Sequence, residues 1–476
     1  MNSNQSAENT NKIDPVVAAN GLVETARVAM SKFENENQAR VDDAVTAVAW
    51  SIYKPTRCKE LAEMAVLDTG LGNVRDKIIK NSRKTFGTLR DLLRVRTVGI
   101  IDNDPDRGIV KFAKPVGVVA AVCPSTNPAA TPVNKAMMAL KGGNAVVIAP
   151  SPAGYSTTTK TVHYMREELK RAGHPEDLVQ ILPAPLSKEL TQALMEQSDL
   201  VVCTGSQNNV RRAYSSGTVA IGVGAGNVPV IIDSTADLNA AAEKICQSKI
   251  FDNSTSCSSE NAVVILDDIY EQAIAALESA GGYRTTSDEK DKILKTLWDK
   301  GQINRHMIAK DADKFAEIAG LAEAAKSNKF FLVEDDQIGK EYPLSDEKLS
   351  LVLTVYRASD FDEAKNIVGR ILDVKGIGHS CGIHTNHPDH AKQLAEELKV
   401  VRVLVNQAHT FGNGGSFDNG LNFTLSMGCG TWAGNSISEN LNYRHFINIT
   451  HLVTTIAEDK PSEDDLFGAY WRKYGK

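Results

Sequence analysis

The sequence predicts an α/β protein made of two packed units built on parallel sheets. Three observations carry that reading. Between residues 116 and 232, short apolar runs alternate with segments of helical periodicity. The runs lack the polar alternation of a half-solvated sheet, so their strands are covered on both faces, as parallel strands are. The chain, at 476 residues, is also longer than one hydrophobic core serves.

Each element follows from local pattern. Residues 1–14 are polar and predicted disordered. From 16 to about 53, Val23, Ala26, Met30 and Phe33 recur at three- and four-residue spacing, which predicts helix, and a second helical stretch runs over 74–93. The β-prone runs 97–101 and 108–112 flank Asp102, Asn103, Asp104, Pro105 and Asp106, a hairpin with a polar turn. Strands are expected at 116–122, 145–148, 178–181, 200–203, 219–221 and 230–232, with helices at 132–140, 156–170, 187–197 and 207–214. A second unit is expected after Asp233. It has helix 238–249, strand 262–265, helix 270–278, strands 330–333 and 351–356, helix 361–368, a Gly-rich strand and turn at 376–385, helix 388–398 and strand 401–405. Gly- and Asn-rich loops fill 411–434. The stretch 445–453 is β-prone, and such a tail pairs either with another chain or with its own domain.

Composition excludes several classes. There are 53 Lys+Arg against 59 Asp+Glu, a net charge of −6, which offers no field for nucleic acid. Hydrophobic residues make up 42%, too many for a disordered chain. Seven cysteines, an odd number with no CxxC pair, argue against a disulfide framework and a zinc site, so no metal is expected. No uncharged apolar run reaches membrane-spanning length, and the polar start lacks a signal-peptide core. The expected compartment is the cytoplasm.

Several residues stand out as candidates for chemistry. Cys257 lies in FDNSTSCSSE, a polar loop before an apolar strand; it is either a tolerated small residue or a nucleophile whose thiolate is stabilised by hydroxyls and backbone N–H groups. Cys123 and Cys203 end apolar strands, where inert thiols are usual. Asn127 follows strand 116–122, at the strand end where α/β proteins place ligands; its amide is either a turn feature before Pro128 or an oxyanion donor. Gly205 and Ser206 sit between strand 200–203 and a helix, a place for a phosphate or other anion. The run Gly222–Asn227 is either a tight turn or a close backbone approach to a ligand. His379, between glycines, is either structural or catalytic.

Together these residues form a pattern that resembles the aldehyde dehydrogenase superfamily, and within it the CoA-acylating branch. The resemblance covers about 16–455. Its landmarks, in order, include KPVGVVAAVCPSTNP at 114–128, KGGNAVVIAPSP at 141–152, KIFDNSTSCSSE at 249–260, EKLSLVL at 347–353, GHSCGIHT at 378–385 and MGCGTWAGNSISENL at 427–441. The resemblance implies a Rossmann-type cofactor domain, a separate α/β catalytic domain and a bridging β hairpin. It implies a cofactor domain from 15–96 and 115–235, an oligomerisation hairpin at 97–114, a catalytic domain at 236–430, and a return to the cofactor domain with an oligomerisation strand at 431–476. By resemblance, Cys257 is the nucleophile, Asn127 the oxyanion amide, and His379 the histidine of acylating members. Thr126, Pro150, Ser151, Gly205, Ser206, Gly224 and Glu347 hold the cofactor, with Glu347 on the nicotinamide-side ribose.

Departures from the family pattern refine the expectation. Hydrolytic members carry a water-activating Glu where this chain has Gly222, Val223, Gly224 and Ala225. Without it, the acyl-enzyme lacks a base for hydrolysis, and transfer to coenzyme A is favoured. Ala149 replaces a Lys of many NAD-type members and Val210 a cofactor-turn Gly, so NAD and NADP both stay open. The expected substrate is a small polar aldehyde, sulfoacetaldehyde ahead of succinate semialdehyde and acetaldehyde, because Ser and Thr surround Cys257 and the C-terminal stretch resembles such members. A hydrolytic enzyme and a silent member of the fold are the rivals. A homodimer or homotetramer is implied.

Overall fold

The computed structural model describes residues 14–476. The tail expected to be disordered lies outside the described residues, except Asp14, whose side chain accepts the Val16 N–H at 2.8 Å and caps the first helix.

Two parallel sheets organise the chain. In the five-stranded sheet the spatial order is Val179–Ile181, Ala145–Ala149, Val118–Val122, Leu200–Cys203, Ala220–Gly222. The order reverses between Val118–Val122 and Leu200–Cys203, and there the loops at the carboxyl ends of adjacent strands diverge and leave a crevice. The seven-stranded sheet runs Gly282–Arg284, Phe330–Glu334, Val352–Ala358, Glu260–Leu266, Val228–Ile232, Cys381–His384, Val403–Val405. Residues Val118–Val122, Ala145–Ala149 and Glu260–Leu266 are buried throughout, which is why they carry no polar alternation. Apolar side chains accordingly gather in two cores, one per sheet.

Sequence pattern misassigned one strand. Val228–Ile232, expected to close the first unit, pairs with Glu260–Leu266 and Cys381–His384 in the second sheet. A fully buried strand reads the same in either sheet, so pattern could not choose. The consequence is geometric. Residues 223–227 leave the C-terminal edge of one sheet and enter the N-terminal edge of the other, so those two edges face each other.

The helical reading of 16–53 divides into Pro15–Ser31 and Gln38–Tyr53, with Asn37 capping the second, and Pro55–Thr69 is a further helix. Helix Val74–Leu93 carries Lys77, Lys80 and Lys84 at helical spacing on one face. The hairpin forms from Gly99–Asp104 and Ile109–Pro115, and Ile447–Val453 joins it as an antiparallel third strand within the same chain. The helices Ser287–Leu297, Ala312–Ala319 and Glu463–Tyr474 had no counterpart in the sequence pattern. Among the described residues no helix is long and apolar enough to cross a membrane.

Candidate active site

The candidate residues converge where the two sheet edges face. From the five-stranded sheet come the loops after its strand ends. Cys123 N donates to Ala149 O at 2.9 Å and Thr204 N to Val122 O at 3.0 Å, which ties the loops carrying Asn127, Pro150 and Gly205 together. Fully buried Lys135 donates to Val122 O at 2.6 Å and Val202 O at 2.9 Å, bridging the two strands at the switch point. Ser206 caps helix Gln207–Tyr214. The Gln207 and Asn208 amides therefore begin a helix, where N–H groups lack intrahelical acceptors and suit a phosphate. A Cβ on Gly205 would meet nothing nearer than Asn209 Nδ2 at 4.0 Å, so a ligand can lie against this turn. These residues fit a dinucleotide. Ser151 caps the turn through Gly154 N at 3.3 Å, and Thr126 Oγ1 takes only a long 3.4 Å contact from the Asn127 amide.

From the other sheet comes the loop of Cys257. Asp252, Asn253 and Ser254 have φ of 50°, 52° and 61°, three successive left-handed residues. That conformation costs L residues about 1–2 kcal/mol each, least for Asp and Asn. It is held by buried polar contacts. The Asp252 carboxylate receives Lys77 Nζ at 3.0 Å, Lys80 Nζ at 2.5 Å, Thr255 Oγ1 at 2.8 Å and Asn73 N at 3.0 Å. Asn253 Nδ2 donates to Asp311 Oδ1 at 2.8 Å. Ser254 Oγ donates to Lys249 O at 2.6 Å.

Cys257 itself is half-buried. Burial pushes its thiol up to about 12; the charges of Glu347 and Cys429 push the same way, and Arg402 and the Ser258 hydroxyl oppose them. Arg402 is wrapped by neutral acceptors: Asn413 Oδ1 at 2.8 Å, Asn440 Oδ1 at 3.2 Å, His379 O at 3.1 Å and Gly428 O at 3.0 Å. Its charge is thus left to act on the thiols. Burial pushes the Cys123 and Cys203 thiols up as well, to about 11.

The glycine run explains itself by close approach. A Cβ on Gly226 would stand 2.1 Å from Cys257 O, and one on Gly224 would stand 2.6 Å from Cys429 Sγ. Gly226, which follows the run Gly222–Ala225, therefore packs directly against the Cys257 loop, and Gly224 within the run packs against Cys429. Asn227 closes the segment by donating to Ser345 O at 2.8 Å, and Asn261 Oδ1 accepts Lys348 N at 2.9 Å. These bonds bring Glu347 beside the Cys257 loop. Burial pushes the Glu347 carboxyl up to about 7, against the pull of Lys375, which pairs with it at 3.4 Å.

One cavity of about 40 Å³ holds Asn127 together with Ser256 and Ser258, the neighbours of Cys257. His379 stands apart from it. Its Nδ1 bonds Ser380 Oγ at 2.8 Å, its Nε2 is buried without a partner among the described residues, and its backbone carbonyl accepts from Arg402 at 3.1 Å. Burial holds its pKa well below the usual value, so the ring is neutral.

The hydroxyls around Cys257, expected to receive a polar substrate, are engaged internally. Ser254 and Ser259 bond each other at 3.0 Å, Thr255 bonds Asp252, Ser256 Oγ accepts Ser258 N at 3.2 Å, and Ser258 Oγ accepts Asn413 Nδ2 at 2.9 Å. Ser256 and Ser258 line the cavity, and the charged groups that line it with them are Lys80, Arg83 and Lys84 of helix Val74–Leu93. Sequence reading passed over them, although cations repeated at helical spacing were a visible signal.

Comparison with known proteins agrees with this geometry. An acylating sulfoacetaldehyde dehydrogenase of Cupriavidus necator is 52% identical over 460 residues, 96% of this chain and 93% of that protein. The crystal structure of an acetylating aldehyde dehydrogenase from Geobacillus thermoglucosidasius superposes with a TM-score of 0.90 at 34% identity, covering 94% of this chain and 98% of that one. A propionaldehyde dehydrogenase of Rhodopseudomonas palustris with bound CoA and an acylated cysteine superposes with a TM-score of 0.81 at 25% identity, over 92% and 97% of the two chains. The aldehyde dehydrogenase family model matches residues 16–420. A family model that matches residues 16–420 and a relative 52% identical over 96% of the chain show that this chain belongs to the aldehyde dehydrogenase family.

Proposed function

We propose that this enzyme is a CoA-acylating aldehyde dehydrogenase that converts sulfoacetaldehyde to its CoA thioester with NAD or NADP. The observation that carries the acylating reading is the run Gly222–Ala225. It leads into the glycine packed on the Cys257 loop and offers no carboxylate to activate water. Glu347, whose charge reaches the thiol, is tied to Lys375 and is read here as a ribose ligand. The 52% identity to an enzyme named for sulfoacetaldehyde supports the substrate.

Each residue has a role in this reading. Cys257 loses its proton and attacks the aldehyde carbon, and Arg402 favours the thiolate. The Asn127 amide and the Cys257 N–H stabilise the oxyanion that forms; one such donor is worth about 3–4 kcal/mol in the transition state. Thr126, Pro150, Ser151, Gly205, Ser206, Gly224 and Glu347 hold the nicotinamide cofactor, which supplies the hydride acceptor. Loss of hydride leaves a thioester on Cys257. That thioester passes its acyl group to the thiol of coenzyme A, and Cys257 leaves as the thiolate. The sum is aldehyde, CoA thiol and oxidised cofactor giving acyl-CoA, reduced cofactor and one proton. By resemblance to acylating members, His379 is assigned to this second half; in this structure its neutral ring stands apart from the cavity. Product analysis by mass spectrometry is the test. Acyl-CoA is expected when CoA is supplied; free sulfoacetate formed equally fast without CoA would reject the reading.

The hairpin and tail strand are read as the contact through which copies of the chain assemble as dimers or tetramers. Their sheet exposes Ile100, Ile449, Leu452 and Val453. Light scattering on the full chain and on an Ile449→Glu, Leu452→Glu double variant is expected to show a smaller particle for the variant; a monomeric wild type would reject the assignment. Seven unpaired cysteines fit a reducing cytoplasm.

A further inference from the structure

The cavity beside Cys257 is lined by three cations, Lys80, Arg83 and Lys84, and by no acidic side chain. Lys80 is paired with Asp252 at 2.5 Å, a carboxylate it shares with Lys77. The other two are not. Lys84 Nζ donates to Gly414 O at 2.7 Å and, among the described residues, has no carboxylate in ion-pair reach. Arg83 Nη2 donates to Ser416 Oγ at 2.7 Å, and its Nε is buried with no partner among the described residues. Asp418 meets Ser416, not Arg83 itself, so it screens the guanidinium only from a distance. The rings of Phe411, Phe417 and Phe423 lie 5.6, 5.0 and 5.7 Å from the Arg83 guanidinium and shield it from water.

Two adjacent, partly dehydrated cations without a counter-charge are electrostatically unfavourable. The strain is visible at Lys84, which burial and then the charges of Arg83 and Lys80 pull down to about 7, with Cys257 opposing. A bound anion would remove it. The cavity beside Cys257 is small, at about 40 Å³, which suits a compact anion.

We propose that Arg83 and Lys84 determine substrate specificity by binding the sulfonate of a two-carbon aldehyde while its carbonyl lies against Cys257 and Asn127. This deepens the functional reading above and rests on it for the identity of the aldehyde. Arg83 presents a planar fork to sulfonate oxygens and Lys84 a point charge. Acetaldehyde would leave both cations unpaired. The carboxylate of succinate semialdehyde stands one methylene farther from its carbonyl, so it meets the two cations at a different distance from Cys257.

Two measurements test this. The first uses the wild-type enzyme: ethanesulfonate, an unreactive mimic of the substrate's anionic end, is expected to slow alkylation of Cys257 by uncharged iodoacetamide, whereas the neutral ethyl methyl sulfone does not. No protection, or equal protection by the sulfone, overturns the proposal. The second uses Arg83→Gln and Lys84→Met. The ratio of kcat/KM for sulfoacetaldehyde over acetaldehyde is expected to fall roughly 10- to 100-fold in each, the size of a hydrogen bond to a charged group. Parallel loss on both aldehydes, leaving the ratio unchanged, assigns the cations to the thiolate or to structure and overturns it. A wild type that prefers acetaldehyde yet is protected by ethanesulfonate through Arg83 and Lys84 supports the anion site and rejects sulfoacetaldehyde as substrate.

Discussion

Replacing Cys257 with alanine is expected to lower turnover by at least about 10⁴-fold, because a covalent route cannot proceed without its nucleophile. The loss should fall on chemistry alone. The Gly205 and Ser206 turn lies on the other sheet's edge, so cofactor affinity measured by fluorescence titration should change little. The wild type offers a sharper companion result. Without CoA, mixing enzyme, aldehyde and oxidised cofactor should release one equivalent of reduced cofactor per active site and then nearly stop. The acyl group is expected to stay on sulfur because the run Gly222–Ala225 offers no carboxylate to activate water. Intact-protein mass spectrometry at that point should place the acyl group on Cys257. Steady production of reduced cofactor without CoA would contradict the assignment, as would an adduct on another cysteine.

Replacing Asp252 with alanine is expected to be the most destabilising single change near the site. Its side chain is fully buried, with Lys77 and Lys80 at 4% and 5% exposure beside it. Removing one partner of a buried ion pair leaves uncompensated charge and costs about 3–5 kcal/mol. Here two lysines lose their counter-ion at once. The left-handed turn of residues 252–254 also loses its anchor, so activity should fall with stability. Differential scanning of the variant should show a clearly lower unfolding temperature, and a shift within error would sink the argument. The same carboxylate predicts acid sensitivity. Burial raises its pKa, but Lys80 and Lys77 outweigh burial and hold it below the usual value. A depressed folded pKa contributes stability that is complete above the unfolded pKa, about 3.9. It is lost as pH falls through the folded value. The wild type should therefore lose stability more steeply than Asp252→Asn on acidification below about pH 4.

Much of the framework was legible in the chain. Buried parallel strands carry unbroken apolar runs, so Val118–Val122, Ala145–Ala149 and Leu200–Cys203 could be read within two residues of their bounds. Cys257 and Asn127 announced themselves by polar loops beside such runs. The helices Ser287–Leu297 and Glu463–Tyr474 were not legible, because their polar faces dominate a short periodic pattern and little of the second helix is buried.

Local chemistry, then, sufficed for the fold class and for marking Cys257 as a candidate, since each depends on residue type and near neighbours along the chain; the missing base followed from the family resemblance. Long-range contact was needed for everything that depends on which surfaces meet. It assigned Val228–Ile232 to the second sheet, because a buried strand looks alike in either. It occupied the serines around Cys257 with internal bonds, and it set Arg83 and Lys84, more than 170 positions earlier in the sequence, into the cavity beside that cysteine. Charge acts through space, and no periodicity along a chain records which distant loop a helix face will meet.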